Sequence, residues 1–275
     1  MSKIAKAVER AKKSREARIG NTRGLRIPLS STGPGLPSAQ TPVYSQTRVI
    51  VPEHHYLEAH RVLTLLDDSV AIDTYNLLCT RILAKTGANF SNAIMITSCG
   101  QGEGKTLTAI NLAVSIARRV QHTVLLVDAD LRNPKIHDYL GLPVAKGLAE
   151  HLSEDVPLAE LLVSPGVPRM VVLPAGKRVD GAAEILGSPK MEQLIHELKS
   201  RYPDRYVIFD SPPLLSVSDA LALSPHMDGL LLVVEAGQTP RDDVRKAIEL
   251  CKDKPLLGLI MNKSLHSRRA YYYPY

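Results

Sequence analysis

The sequence is poor in aromatic residues and in cysteine. Its 275 residues include no tryptophan, two phenylalanines and only three cysteines, Cys79, Cys99 and Cys251. Three widely spaced cysteines form neither a disulfide framework nor a zinc site, and they fit a reducing compartment. No apolar run reaches the roughly 18 residues of a membrane-spanning helix, and the first residues lack the apolar segment of a secretory signal. We therefore expect a cytoplasmic protein.

The net positive charge comes from the first residues of the chain. The formal net charge is +6, yet residues 1–27 alone hold nine Lys or Arg against two Asp or Glu, which leaves 25 basic and 26 acidic residues in the remainder. The body is thus nearly neutral, and nucleic acid is not an expected partner. Residues 2–18 predict a basic helix, and residues 20–45, rich in Gly, Pro and Ser, predict a flexible linker. This arm is either a solvated tail or a contact with an anionic membrane or an acidic partner.

Beyond the arm, short apolar runs alternate with longer amphipathic segments. The continuous apolar runs, which are typical of strands covered on both faces, lie at 94–97, 124–127, 170–173, 206–209, 230–234 and 257–261. Helices are predicted at 107–119, 190–201 and 242–252. This alternation predicts an α/β fold with a mostly parallel sheet, whose ligands bind at the carboxyl ends of the strands. We expect a domain at 48–265, between the arm at 1–47 and a tail at 266–275.

A glycine-rich loop follows the first of these runs. Glycines let successive backbone N–H groups point at an anion, a lysine at the end of the loop can reach the β- and γ-phosphates, and the next hydroxyl can ligate magnesium. The consensus has glycine where this chain has Cys99, a position that mainly needs a small residue. The loop therefore predicts a nucleotide-phosphate site formed by Gly100, Gln101, Gly102, Glu103, Gly104, Lys105, Thr106 and Leu107.

Acidic residues follow two further predicted strands. Asp128 and Asp130 lie at the end of VLLVDAD, and Asp210 at the end of YVIFD. Carboxylates there can hold magnesium, directly or through water, and can accept the proton of an attacking hydroxyl. A single aspartate at such a position would more often cap the next helix. Three of them together with GKT favour a catalytic cluster with Lys105, in which Thr106, Asp128 and Asp210 are the candidate metal ligands.

The motifs GQGEGKT, VLLVDADLR and VIFDSPP, followed by a tyrosine-rich end, resemble those of the bacterial tyrosine kinases (BY-kinases) of capsule and exopolysaccharide synthesis. The resemblance runs from about residue 48 to the end. It extends to the cytoplasmic autokinases of exosortase-linked exopolysaccharide loci, which share LPAG (173–176) and the YPDR-VIFDSPPLL pattern (202–215). It implies a Rossmann-like P-loop NTPase fold, ATP and Mg²⁺ as cofactors, and autophosphorylation in trans of Tyr271, Tyr272, Tyr273 and Tyr275.

The resemblance also implies roles for single residues. Lys105 and Thr106 would bind phosphate and magnesium, and Asp210 would help to position the magnesium. Asp128 or Asp130 would be the base or orienter for the tyrosine hydroxyl. Since phosphoryl transfer is loose, positioning and charge neutralisation matter more than base strength.

The expected partners also come from the resemblance. An adenine contact by Asn262 fits its position, and so does a plain strand-end cap. Relatives are switched on by the cytoplasmic segment of a membrane polysaccharide co-polymerase. We therefore expect such an activator, a peripheral location at the inner face of the plasma membrane, and a homo-oligomer formed through the tail and the nucleotide site.

One feature of the family is degraded. Its members carry E-x-x-R-x-x-R on a helix before the P-loop, which packs subunits into a ring. Here Asp73, Asn76 and Cys79 take the three positions, and Arg81 is offset. Asn and Cys cannot make bidentate contacts with carboxylates. A closed ring of the usual kind is therefore not predicted, and a different interface or a weaker assembly fits equally well.

Two other functions stay open. A switch ATPase of the partitioning and division-site type would hydrolyse ATP without phosphorylating protein, but such proteins carry K-G-G-x-G-K-[ST], whose first lysine falls at Gly100 here. A catalytically weak regulatory subunit of a polysaccharide assembly complex is compatible with the lost arginines. The intact GKT, the three aspartates and the terminal tyrosines favour the kinase.

Overall fold

The computed structural model describes residues 47–87, 91–119, 121–143, 145–201 and 204–264. The predicted basic helix, the linker and the tyrosine tail lie outside these residues. The described part contains a single eight-stranded sheet. Its strands are β1 (Arg48–Val49), β2 (Ala93–Ser98), β3 (Thr123–Asp128), β4 (Val163–Ser164), β5 (Met170–Leu173), β6 (Arg205–Asp210), β7 (Gly229–Glu235) and β8 (Leu256–Asn262).

The sheet is almost wholly parallel. The strand order is β1-β4-β5-β3-β6-β2-β7-β8, and every neighbouring pair is parallel except β4 with β5. Neighbours that are not consecutive in the chain need crossover connections, which here contain helices. The predicted α/β fold with a mostly parallel sheet is confirmed.

The helices connect and cover these strands. They are α1 (His54–Ala59), α2 (Ser69–Thr86), α3 (Lys105–Ala117), α4 (Ile136–Tyr139), α5 (Leu148–Glu154), α6 (Leu158–Leu161), α7 (Ala182–Leu186), α8 (Pro189–Ser200), α9 (Asp219–Leu223) and α10 (Arg241–Leu250), with a 3₁₀ turn at Ser224–His226. The three predicted helices correspond to α3, α8 and α10. Among the described helices, none is long and apolar enough to cross a membrane.

Helix α8 illustrates how local sequence fixes an element. The Ser188 hydroxyl caps its N-terminus by accepting a hydrogen bond from the Met191 N–H at 3.2 Å, and Pro189 occupies the first helical position. Leucine and isoleucine at helical spacing, Leu194, Ile195 and Leu198, are buried on one face. The polar face remains for solvent, so the helix packs on the sheet in one orientation only.

The core lies on both faces of the sheet. In β3, Leu125 and Val127 belong to one buried cluster, together with residues of α8, whereas Val124 and Leu126 belong to a second cluster with residues of α3. Successive side chains of a strand point to opposite faces, so a strand covered on both sides needs apolar residues throughout. This accounts for the continuous apolar runs of the sequence.

Strand β8 departs from the expectation of a strand covered on both faces. It lies at the end of the strand order and has one neighbour, β7. Leu259 is 50% exposed and Met261 is 70% exposed. The apolar run 257–261 predicted the strand correctly but its burial wrongly, because hydropathy does not distinguish an edge strand from a central one.

Candidate nucleotide site

The order of the three central strands brings the predicted site residues together. Strands β3, β6 and β2 are adjacent in the sheet. Asp128 of β3 is the register partner of Asp210 in β6, and Asp210 is the register partner of Ile96 in β2. The two aspartates thus end neighbouring strands, and β2 continues directly into the glycine-rich loop. The carboxyl ends of parallel strands form one edge of the sheet, where α/β folds bind their ligands.

Two glycines give the loop its shape. Gly102 and Gly104 have φ values of +78° and +93°, a region that L-residues rarely adopt. A Cβ atom at Gly104 would also overlap the Asn262 side-chain amide, which donates a hydrogen bond from Nδ2 to the Glu103 carbonyl at 2.9 Å. Asn262, at the end of β8, therefore holds the loop, and Gly104 is the residue that permits this close approach.

The side chain of Glu103 turns back onto the loop. Its Oε2 accepts a hydrogen bond from the Gly100 N–H at 3.1 Å, and its Oε1 accepts one from the Thr239 hydroxyl at 2.5 Å. Glu103 is buried, whereas Gln101 is exposed. The Glu103 carboxylate thus stabilises the loop and does not point towards a ligand.

Lys105 begins α3 and points into the acidic cluster. Its Nζ lies 2.7 Å from Asp130 Oδ2 and 3.7 Å from Asp210 Oδ1, and all three side chains are buried or nearly so. Burial alone would lower the pKa of Lys105, but the attraction of Asp210 and Asp130 outweighs it and raises the pKa. The lysine is therefore charged at neutral pH and lies at the end of the glycine-rich loop.

Asp128 and Asp210 differ in their hydrogen bonds. The Asp128 carboxylate accepts from the backbone N–H groups of Asp130, Lys135 and Ile136 at 3.0–3.3 Å, so it caps the start of α4. Both Asp210 oxygens are buried without a hydrogen-bond partner within the described residues. A buried carboxylate without such partners is costly and is the kind of group that a cation would stabilise.

The two buried carboxylates also resist ionisation. Burial, together with the charge of Asp210, raises the pKa of Asp128 to about 8. Burial likewise raises the pKa of Asp210 to about 6, although the nearby Lys105 charge and Thr106 hydroxyl counteract it. Both raised pKa values mean that ionising these carboxylates is unfavourable in the protein alone, a cost that a divalent cation would offset.

Three cavities adjoin the loop, and two of them include most of the predicted site residues in their linings. The larger, of about 920 Å³, is lined by Gly104, Leu107 and Asn262 together with β8 and α2. The smaller, of about 270 Å³, is lined by Lys105, Thr106 and Asp130. Most of the predicted site residues therefore line one of two neighbouring cavities, of which the larger has a volume typical of small-molecule sites.

An arginine that the sequence analysis did not single out lines the smaller cavity. Arg132 lies two residues after Asp130, and its Nε and Nη2 donate to Asp219 Oδ2 and Oδ1 at 2.7 and 3.0 Å. Asp219 is fully buried at the first position of α9. Arg132 belongs to the VLLVDADLR motif, but its partner Asp219 lies 87 residues further along the chain and outside any motif, so the pairing was not predictable from the sequence.

The stretch that corresponds to the family's E-x-x-R-x-x-R pattern lies on α2. Asp73 and Arg81 are exposed, Asn76 is half-buried, and Cys79 is fully buried in the core. The neighbouring Thr80 hydroxyl and Asn76 carbonyl accept hydrogen bonds from the Arg119 guanidinium. Cys79, which takes the place of the second arginine in the family pattern, is thus buried in this molecule and cannot contact another subunit.

We expect the Cys99 thiol to be unreactive. Its burial, together with the charges of Glu103 and Asp243, raises its pKa to about 11. Because the thiolate is the reactive form, alkylation by iodoacetamide at pH 8 should be roughly 100-fold slower than that of an unperturbed thiol. Time-resolved mass spectrometry of the native protein would measure this rate, with urea-unfolded protein as the control. Similar labelling rates in the two samples would contradict the expectation.

Comparison with known proteins identifies the family. A ParA family model, described as NUBPL iron-transfer P-loop NTPase, matches residues 89–270. The tyrosine-protein kinase YwqD of Bacillus subtilis (strain 168) is 37% identical over 210 residues, which cover 74% of this chain and 87% of YwqD. The chain belongs to the bacterial tyrosine kinases.

Solved structures agree with this assignment. The kinase domain of the Escherichia coli tyrosine kinase Etk matches with a TM-score of 0.69 and 26% identity over 86% of this chain and 95% of that one. The septum site-determining protein MinD of Pyrococcus horikoshii, in complex with Mg-ADP, matches with a TM-score of 0.54 and 26% identity over 64% of this chain and 72% of that one. The identified family, the P-loop NTPase fold and the predicted enzyme class, a protein-tyrosine kinase, are confirmed.

Proposed function

We propose that this chain is an ATP-dependent autokinase that phosphorylates its own C-terminal tyrosines in trans and thereby controls the synthesis, chain length and export of an exopolysaccharide or capsule. The observation that carries the proposal is the position of Lys105, held between Asp130 and Asp210 at the end of a glycine-rich loop. The acceptors, which lie outside the described residues, are Tyr271, Tyr272, Tyr273 and Tyr275.

The residues of the site divide the work of binding and transfer. The backbone N–H groups of 100–107 and the Lys105 ammonium bind the phosphates of ATP, and Leu107 and Asn262 line the cavity that takes its base. Asp130, whose carboxylate lies beside Lys105, orients the tyrosine hydroxyl and accepts its proton. The hydroxyl is otherwise protonated at neutral pH, since a free tyrosine has a pKa near 10.

Magnesium fits the donors at the end of β6. Among the described side chains, no group of three or more His, Cys, Asp or Glu could hold a metal ion alone. Mg²⁺ is usually bound by one or two carboxylates, phosphate oxygens and water, which matches the Asp210 oxygens and the Thr106 hydroxyl. Asp128, already engaged by three N–H groups, suits an indirect contact through water. The ion would neutralise charge on the transferred phosphate.

Membership of the family supports a proposed partner and location. An activating cytoplasmic segment of a membrane polysaccharide co-polymerase would bind near the nucleotide site and keep the kinase at the inner face of the plasma membrane. The basic residues of 1–27 would add an attraction to anionic lipid. Self-association would proceed through the tail and the nucleotide site, because transfer in trans requires one subunit's tyrosines to enter another's cleft.

A mixing experiment tests transfer in trans. One variant carries Lys105→Met with its tyrosines intact, and the other carries all four terminal tyrosines as phenylalanine with its site intact. Neither should label its own tail with Mg-ATP. Together they should yield phosphate on the tail of the Lys105→Met chain, which mass spectrometry can assign because the two tails differ in mass.

Each other outcome names a different function. ATP turnover without phosphotyrosine, even with the co-polymerase segment present, would support the switch ATPase. Absence of both turnover and phosphotyrosine would support a regulatory subunit. Phosphate on the wild-type tail at a rate independent of protein concentration, with none in the mixture, would show transfer within one chain.

A further inference from the structure

The Arg132–Asp219 pair holds an arginine in the lining of the smaller cavity. The two parallel hydrogen bonds engage Nε and one Nη2 proton. A guanidinium has five N–H donors, so three are left for another group. This bidentate pairing also fixes the plane of the guanidinium, which a single hydrogen bond would not do. Arg132 remains 39% exposed while its partner is fully buried, so the remaining donors lie on the accessible side of the pair.

The cavity is small enough for its lining groups to reach one ligand. Arg132 shares about 270 Å³ with Lys105, Thr106 and Asp130, and two prolines, Pro212 and Pro213, form another part of its lining. This volume lies just below the roughly 300–1,000 Å³ of sites for drug-sized ligands. It suits a phosphoryl group and an aromatic ring better than a whole nucleotide.

Arg132 is already paired with the Asp219 carboxylate, and Glu184 and Asp180 add negative charge nearby, so a further anion would bind through the three N–H donors that Asp219 leaves. Hydrogen bonding to Asp219 raises the pKa of Arg132, which is charged at every relevant pH. The segment 265–275, which the proposed function makes the substrate, contains no Asp or Glu. An acceptor side chain of this segment therefore gives the guanidinium no charge to bind. The anion that the reaction itself brings to this cavity is the transferred phosphoryl group.

We propose that Arg132 contacts the phosphoryl group during its transfer and that Asp219 is the positioning residue that orients Arg132 for this contact. In the step, the bond between the γ-phosphorus and the β–γ bridging oxygen breaks, a bond from that phosphorus to the tyrosine oxygen forms, the phenolic proton passes to Asp130, and ADP leaves. Charge spread over the equatorial oxygens during this step is what a planar guanidinium stabilises. The identity of the acceptor rests on the proposed function, whereas the contact with phosphate does not.

The first test compares Arg132→Met with Arg118→Met. Arg118 is 40% exposed and pairs with Asp67 at 3.3 Å, but it follows the C-terminus of α3, about 20 Å from the glycine-rich loop at 1.5 Å per residue. Arg132→Met should lower the single-turnover rate at saturating Mg-ATP roughly 100-fold, the loss typical of one preorganised donor. The Kd for Mg-ADP should change less than about threefold, and Arg118→Met should change neither value.

The second test separates a role in transfer from a role in folding. Guanidinium ion at low millimolar concentration should restore part of the rate in Arg132→Ala and do nothing for wild type or Lys105→Met. Asp219→Asn keeps the shape of the side chain but weakens its bidentate pairing with Arg132. Because the guanidinium would then be less well placed, the rate should fall roughly tenfold, and the Kd for Mg-ADP should not change. Thermal unfolding of each variant shows that the rates belong to folded protein.

The outcomes are distinct from those of the proposed function. If wild type phosphorylates no tyrosine, the proposed function fails, and the same variants are compared by the rate of ATP hydrolysis, in which water accepts the phosphoryl group. A wild-type rate in folded Arg132→Met overturns the Arg132 proposal. A loss that follows the fall in stability, with no rescue by guanidinium, also overturns it and makes the pair a structural tie between the loop after β3 and α9.

Discussion

Replacing Lys105 by methionine is expected to lower the rate of phosphoryl transfer roughly 10²–10³-fold, the range found when a preorganised group that stabilises developing charge is removed. Within the described residues, its Nζ is the cation that ion-pairs with both Asp130 and Asp210. Methionine is unbranched and only one heavy atom shorter than lysine, and it carries no charge. The rate is measured in single turnover with saturating Mg-ATP, and nucleotide affinity is measured separately.

Lys199→Met is the matched control for this substitution. Lys199 also forms a short ion pair, at 2.6 Å from Asp228, but Asp228 accepts hydrogen bonds from Asn92 and Ala93 at the beginning of β2. This is the opposite end of the strand from the glycine-rich loop. The control should lose stability and keep its rate within about twofold. A Lys105→Met rate within tenfold of wild type would show that this lysine does not serve the transferred phosphate.

The sequence was sufficient to predict the strands that build the site. Central parallel strands are apolar throughout because both faces are buried, and a run such as YVIFD is easily distinguished from a surface segment. The pattern did not reveal the short elements at the sheet edge. Strands β1 and β4 have two residues each, too few for any periodicity, and β1 forms only by pairing with β4, which is distant in the chain.

The candidate site was predictable where one motif supplied both the residue and its context. Lys105 follows a glycine-rich turn, and Asp128 and Asp210 end apolar strands, so their convergence followed from the fold class. The division of labour between the aspartates was not predictable. It depends on which carboxylate meets the N–H groups of α4, and Asp128 does so while Asp210 does not.

That difference leads to the second large effect. Asp210→Asn is expected to abolish phosphoryl transfer, by about 10³-fold or more, and at the same time to stabilise the metal-free protein. Asp210 is fully buried, and burial raises its pKa from 3.8 to about 6 even though the Lys105 ammonium, 3.7 Å away, and the Thr106 hydroxyl counteract this effect. A carboxyl group whose pKa is higher in the folded than in the unfolded state does not affect stability at a pH where it is protonated in both states. It destabilises the folded state most at a pH above its folded-state pKa. The gain should be about 1–3 kcal/mol at pH 7 and should vanish as the pH falls from 6 towards 4.

Asp228→Asn is the control with the opposite sign. Asp228 accepts hydrogen bonds from two backbone N–H groups and from the Lys199 ammonium, so its charge is satisfied, and removing it should destabilise the protein by about 1–3 kcal/mol. Chemical unfolding in EDTA would compare the two variants with wild type. If Asp210→Asn destabilises the metal-free protein as Asp228→Asn does, the Asp210 carboxylate is already satisfied without a cation. A gain in stability accompanied by loss of transfer would mean instead that the fold retains an unfavourable buried charge because the reaction requires it.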